Sequence, residues 1–110
     1  MMETFTLNGI EMPIATYNNH IDELTNKIYK VLCICEQCEE KGDFAPYFEY
    51  LYKTNILMAG NKVLFNNRKF TVLVTELMGL MELRTTDHAQ VKRIVFECTN
   101  ALQKMKKPLE

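Results

Sequence analysis

Cys33, Cys35 and Cys38 crowd into the run CICEQC, and His20 and His88 are the two histidines of the chain. Clustered thiolates with an imidazole are the donor set of a structural zinc site, which takes four tetrahedral ligands. Spacing decides which of them could meet. At about 100° per helical residue, Cys33 stands about 200° from Cys35 and about 140° from Cys38, while Cys35 and Cys38, about 60° apart, share a face. If the helices run up and down, His88 at the start of the last helix lies at the same end as Cys38. Cys35, Cys38 and His88 are therefore the candidate metal set, three ligands rather than four. The other reading makes Cys35 and Cys38 small members of an apolar seam, since a buried reduced cysteine behaves as a hydrophobe. We adopt that reading and expect no metal and no cofactor. A thiol-based metal or redox sensor stands as an alternative.

Nucleophilic catalysis needs a thiol or hydroxyl beside a positioned base, and the chain contains no serine. Both histidines fall near expected helix starts, with no motif around them that would make either a catalytic base. The glycines, at positions 9, 42, 60 and 79, are scattered, so no phosphate-cradling loop is formed. The expectation is a protein that is not an enzyme.

The elements that must position these residues are mostly helices. Thr4 to Thr16 reads as a β-hairpin turning on Asn8-Gly9, because that pair accepts the positive φ values of a type I′ turn. Phe5, Leu7, Ile10, Met12 and Ile14 would pack it, and Pro13 ends the second strand or holds it at an edge. Asn18 or Asn19 then caps a long helix whose seam is Ile21, Leu24, Ile28, Val31, Cys35 and Cys38, ended by Gly42 in a left-handed cap. Asp43 and Pro46 open a second helix. In it Phe44, Tyr47, Phe48, Leu51, Tyr52, Met58 and Ala59 fill one broad apolar arc, with Tyr50 and Leu57 beyond one edge and Ile56 off the other. So wide an arc makes this either the central core helix or a core helix with one edge covered by a second copy.

Residues 62–74 allow a second short hairpin turning on Asn66-Asn67 or a loop leading into a helix, and we favour helix from about Arg68. Phe70, Leu73, Val74, Leu77, Leu80 and Met81 form its apolar face. Asp87 to Gln90 offers a capping box for a last helix with the seam Val91, Ile94, Val95, Cys98, Leu102 and Met105, and Pro108 ends it. The expected fold is therefore mainly α: a small bundle of three or four helices preceded by an N-terminal β-hairpin, in one domain over 1–108. Leu109 and Glu110 have the look of a cloning scar and are set aside.

Charge and composition narrow the function. A net charge of −1 gives no general field for nucleic acid. No run of about 18 apolar residues is present to span a membrane, and neither a charged nor an apolar leader opens the chain, so the expectation is a soluble cytoplasmic protein. Residues 1–50 hold nine acids and three bases, residues 51–110 five acids and ten bases. In an up-down-up-down bundle Glu36, Glu39, Glu40 and Asp43 would then face Arg84, Lys92 and Arg93, and Asp22 and Glu23 would face Lys104, Lys106 and Lys107.

FTLNGIEMPI followed by a helix resembles the opening of some phage tail assembly chaperones, small proteins in which an Asn-Gly hairpin leads into helices. The resemblance implies transient binding to a structural phage protein. The residues themselves point to a small interaction protein whose partner is itself, as a homodimer, or another protein. Tyr47, Tyr50, Leu57, Phe5 and Leu7 are the expected partner-binding residues, because aromatic side chains carry much interface energy.

Overall fold

A computed structural model describes residues 4–7, 10–61, 64 and 67–107. Strand β1 (Thr4–Leu7) pairs antiparallel with β2 (Ile10–Pro13), with Leu7 opposite Ile10 and Phe5 opposite Met12. The expected turn residues Asn8 and Gly9 lie outside the described residues. Four helices follow: α1 (Ile14–Lys41), α2 (Ala45–Ala59), α3 (Arg68–Glu82) and α4 (His88–Lys104). They form the expected helical bundle behind an N-terminal hairpin. No helix among the described residues is long and apolar enough to cross a membrane.

The helices run up, down, up and down. Asn61, beyond α2, meets His20 near the start of α1, while Glu36 near the end of α1 meets His88 at the start of α4. Each helix packs on its chain neighbours, and α4 closes the ring on α1. At 28 residues α1 is about 42 Å long and outreaches its neighbours of 15 to 17 residues by more than 15 Å, roughly. Its whole predicted seam, from Ile21 to Cys38, is buried.

The start of α1 corrects the sequence reading. The helix begins at Ile14, directly after Pro13, rather than at a cap on Asn18 or Asn19. Pro13 ends the strand with an extended backbone, and Ile14 belongs to the helix instead of the hairpin. Asn18 is thereby free for another task. Its amide donates to the Lys107 carbonyl and accepts from the Lys107 N–H, both at 2.8 Å, and the Tyr17 hydroxyl donates to the Met105 carbonyl at 3.0 Å. These bonds fasten the chain after α4 to the first turns of α1. Phe5 completes the contact by lying edge-on to Tyr17, with ring centroids 5.0 Å apart.

The caps divide in the same way. Gly42 ends α1 at φ 74°, with its N–H on the Cys38 carbonyl, as the sequence implied. Asp43 accepts from the Ala45 N–H and Pro46 sits in the first turn of α2. No strand forms among the described residues of 62–74; Asn67 caps α3 by accepting from the N–H groups of Lys69 and Phe70. Asp87 stands at the N-cap of α4 without a side-chain capping bond, so the capping box does not form.

At the end of α3, the Thr85 N–H reaches the Leu80 carbonyl and the Arg84 N–H the Met81 carbonyl, a Schellman ending in which Arg84 occupies the left-handed position at φ 49°. Glycine would sit there without strain. The arginine is compensated by its guanidinium, which lies 4.0 Å from the centroid of the Phe48 ring. It is thus committed to α2 rather than to the acidic end of α1.

Charge pairing follows the sequence expectation at one end and departs from it at the other. Lys106 bonds Asp22 at 3.1 Å, and Gln103 bonds the same carboxylate. Near Glu36 the partner is His88, at 3.4 Å, while Lys92 lies over the Phe96 ring and Arg93 pairs with Glu97.

Two predictions follow from the closure of the chain end on α1. Asn18→Ala strands two backbone groups of Lys107 and should cost about 1 to 3 kcal/mol in urea unfolding at neutral pH, with Tyr17→Phe costing about 1 kcal/mol. The Asp22 carboxyl is held below its ordinary pKa first by the Gln103 hydrogen bond and then by Lys106. Its contribution is present above the ordinary carboxylate range and lost as pH falls through the depressed value, so Gln103→Ala should make the acid limb of the stability profile shallower.

Candidate interaction surface

The core side of α2 consists of Tyr47, Leu51, Thr54, Asn55 and Met58. Relative to the arc expected from the sequence it is rotated, taking in two polar residues and releasing Tyr52. Local hydrogen bonding permits this. The Thr54 hydroxyl donates to the Tyr50 carbonyl at 2.9 Å, and the Asn55 amide donates to the Leu51 carbonyl at 2.9 Å and toward Leu77 of α3 at 3.4 Å. Burying a hydroxyl or amide costs little once it is so bonded, although Asn55 Oδ1 remains without a protein partner.

α2 is therefore a wall of the bundle, and the reading of it as the central helix is corrected. α1 is the helix that meets both α2 and α4. The outer side of α2 exposes Tyr52 at 56%, Ile56 at 55% and Leu57 at 44%. Tyr52 and Ile56, four residues apart, are stacked on one face. Glu49 and Lys53 run beside them and pair at 3.1 Å.

Of the residues expected to bind a partner, Tyr47 is fully buried, its hydroxyl donating to the Thr85 carbonyl at 2.9 Å, and is a core residue. Tyr50 is half-buried against α1, donating to the Lys27 carbonyl at 2.9 Å with Lys30 beside its ring, so its edge is already used within the chain. Leu57 is exposed. Phe5 is half-buried on Tyr17, and the Leu7 backbone pairs with Ile10. The sequence reading missed Tyr52, which it assigned to the core arc. Ile56, set off the arc, was the available signal that α2 has a second apolar face.

The thiols do not assemble a metal site. Cys33 is exposed, Cys35 and Cys38 are buried, and no three His, Cys, Asp or Glu side chains among the described residues could hold an ion. His88 turns to Glu36 instead. Burial, reinforced by Glu39, pushes the Cys35 thiol up to about 11, and burial with Glu76 raises Cys98 further. A reactive or metal-binding sulfur needs the opposite shift, toward thiolate.

No protein-family model matches the chain, and neither a curated protein nor a solved structure shows significant similarity to it.

A thiol reagent at pH 8 should modify Cys33 at once and Cys35, Cys38 and Cys98 on unfolding. The raised Cys35 group contributes stability that is complete below the ordinary thiol pKa of 9.0 and is lost as pH climbs through about 11. Cys35→Ala should therefore flatten the fall in stability across that interval, measured by urea unfolding at a series of alkaline pH values.

Proposed function

We propose that this chain is a non-enzymatic protein-interaction protein that associates with a second copy of itself through the outer face of α2. The observation that carries this reading is the second apolar face of that helix: Tyr52 and Ile56, one turn apart, are each more than half exposed on a helix whose opposite side is already buried, and Leu57 is exposed across the Glu49–Lys53 pair. Scattered apolar residues are ordinary on a protein surface, but Tyr52 and Ile56 share one helix face and form a patch suited to burial against another protein, bordered by the Glu49–Lys53 pair.

A second copy suits the strip because Glu49 and Lys53 give it both signs of charge. Across a two-fold axis perpendicular to α2 the helix meets its copy in antiparallel orientation, and each Glu49 can approach the partner's Lys53. Two-fold pairing is also the commonest form of self-association in soluble proteins. Tyr52 is the natural anchor, since tyrosine brings a large rigid contact and a polar tip.

Tyr52→Ala with Ile56→Ala should weaken association by about 2 to 4 kcal/mol, read by sedimentation equilibrium. Because both side chains are more than half exposed, the monomer should keep its helix content and lose no more than about 0.5 kcal/mol of stability. Tyr50→Ala should instead lower thermal stability, by removing the bond to Lys27, with little effect on association. A wild-type protein that stays monomeric at high concentration would defeat the proposal.

A further inference from the structure

Away from the outer face of α2, α3 and α4 line an open groove of about 700 Å³. Its floor is apolar, formed by Val72, 54% exposed, and Ala101; its lower rim carries Arg68, Lys69 and Lys104. Glu97 lies farther up α4, about 10 Å from Lys104 along the helix axis. The groove is thus basic at one end and acidic toward the other.

Nothing among the described residues neutralises the three cations at the lower end. Among the described residues none of them has an ion pair; the carboxylates nearby are taken, Asp22 by Lys106 and Glu97 by Arg93. Arg68 and Lys69 also occupy the first turn of α3, where positive charge opposes the helix dipole. Acidic or neutral residues there would suit folding better. The Lys69 and Phe70 N–H groups of that turn are already served by the Asn67 side chain, so an incoming anion would chiefly meet the side chains.

From the groove's charge and shape we infer that it is a docking site for an amphipathic acidic segment of another protein, with apolar side chains over Val72 and Ala101 and carboxylates against Arg68, Lys69 and Lys104. The exposed floor selects a macromolecular occupant, since a small ligand needs walls that enclose most of its surface. At the upper groove Glu97 and the neighbouring Glu76 outnumber Arg93, which pairs with Glu97, and that excess of negative charge selects a peptide over a nucleic acid, whose unbroken row of phosphates would meet it. This surface is separate from the outer face of α2 and does not depend on the self-association proposed above.

The probe is a short fluorescent helix-forming peptide with leucines along one face flanked by glutamates. Its counterpart has lysines for glutamates, and a thymidine oligonucleotide serves as the third ligand. Fluorescence anisotropy should show the acidic peptide binding the wild-type chain, more weakly as salt is raised. The triple variant Arg68→Glu, Lys69→Glu, Lys104→Glu should lose about tenfold or more of that affinity, and so should Val72→Asp, which removes the apolar floor. The Tyr52→Ala, Ile56→Ala protein should bind like wild type. Arg68→Glu and Lys69→Glu alone should leave the melting temperature unchanged or higher, because they complement the α3 dipole; binding lost while stability is kept or gained marks a recognition role. Equal or absent binding of the two peptides, tighter binding of the oligonucleotide, or full affinity in the charge-reversed protein would overturn the inference.

Discussion

Everything in this molecule is arranged against the apolar seam of α1. Ile21, Leu24, Ile28, Val31, Cys35 and Cys38 are each no more than 4% exposed, and they present one continuous ridge along most of the longest helix. The helices α2 and α4 both lie antiparallel to it, and α3 completes the ring between them. Removing that ridge from water supplies the non-directional part of the stability. The cysteines in it are small, neutral spacers that let neighbouring helices approach.

Non-directional packing does not by itself set how far one helix slides along another. In this bundle that is done by side-chain hydroxyls and amides that reach backbone groups on a different element. Tyr17 and Asn18 hold the chain after α4, Tyr47 holds the α3–α4 connection, and Tyr50 holds the middle of α1. Each such bond has one position at which donor and acceptor meet, so together they fix the relative heights of the helices. Their net energies are modest, on the order of 1 kcal/mol each, but an unmet buried partner costs as much or more. The length mismatch between α1 and its neighbours is absorbed at the lower end, where the hairpin and the residues after α4 share the first turns of α1.

The surface left over is uneven in a way that the core does not require. The outer face of α2 exposes Tyr52 and Ile56 beside its Glu49–Lys53 pair, and the lower α3–α4 groove places Arg68 and Lys69 where the α3 dipole disfavours them. Both features run against the stability of the isolated chain, and both sit on rigid helices rather than loops. They are two places among the described residues at which the fold carries residues whose types folding alone does not explain.

Periodicity along the chain was enough to determine the class of fold, the apolar faces of α3 and α4, the seam of α1 and the left-handed cap at Gly42, because each depends on residues close in sequence; α4 itself stops at Lys104, short of the expected stop at Pro108. The same is true of the burial of Cys35 and Cys38 and the exposure of Cys33, which are angles on one helix. Tertiary structure decided what local spacing leaves open. Asn18 reads as a helix cap until Lys107 is beside it, and Arg84 reads as a partner for acids until Phe48 lies under it. The rotation of α2 that buries Thr54 and Asn55 and puts Tyr52 in water could not be read from hydropathy, since it turns on whether two polar side chains find hydrogen-bond acceptors. The candidate surface was accordingly half legible: Leu57 and the excess of apolar residues on α2 belong to the sequence, whereas its true centre depends on which side α1 and α3 occupy.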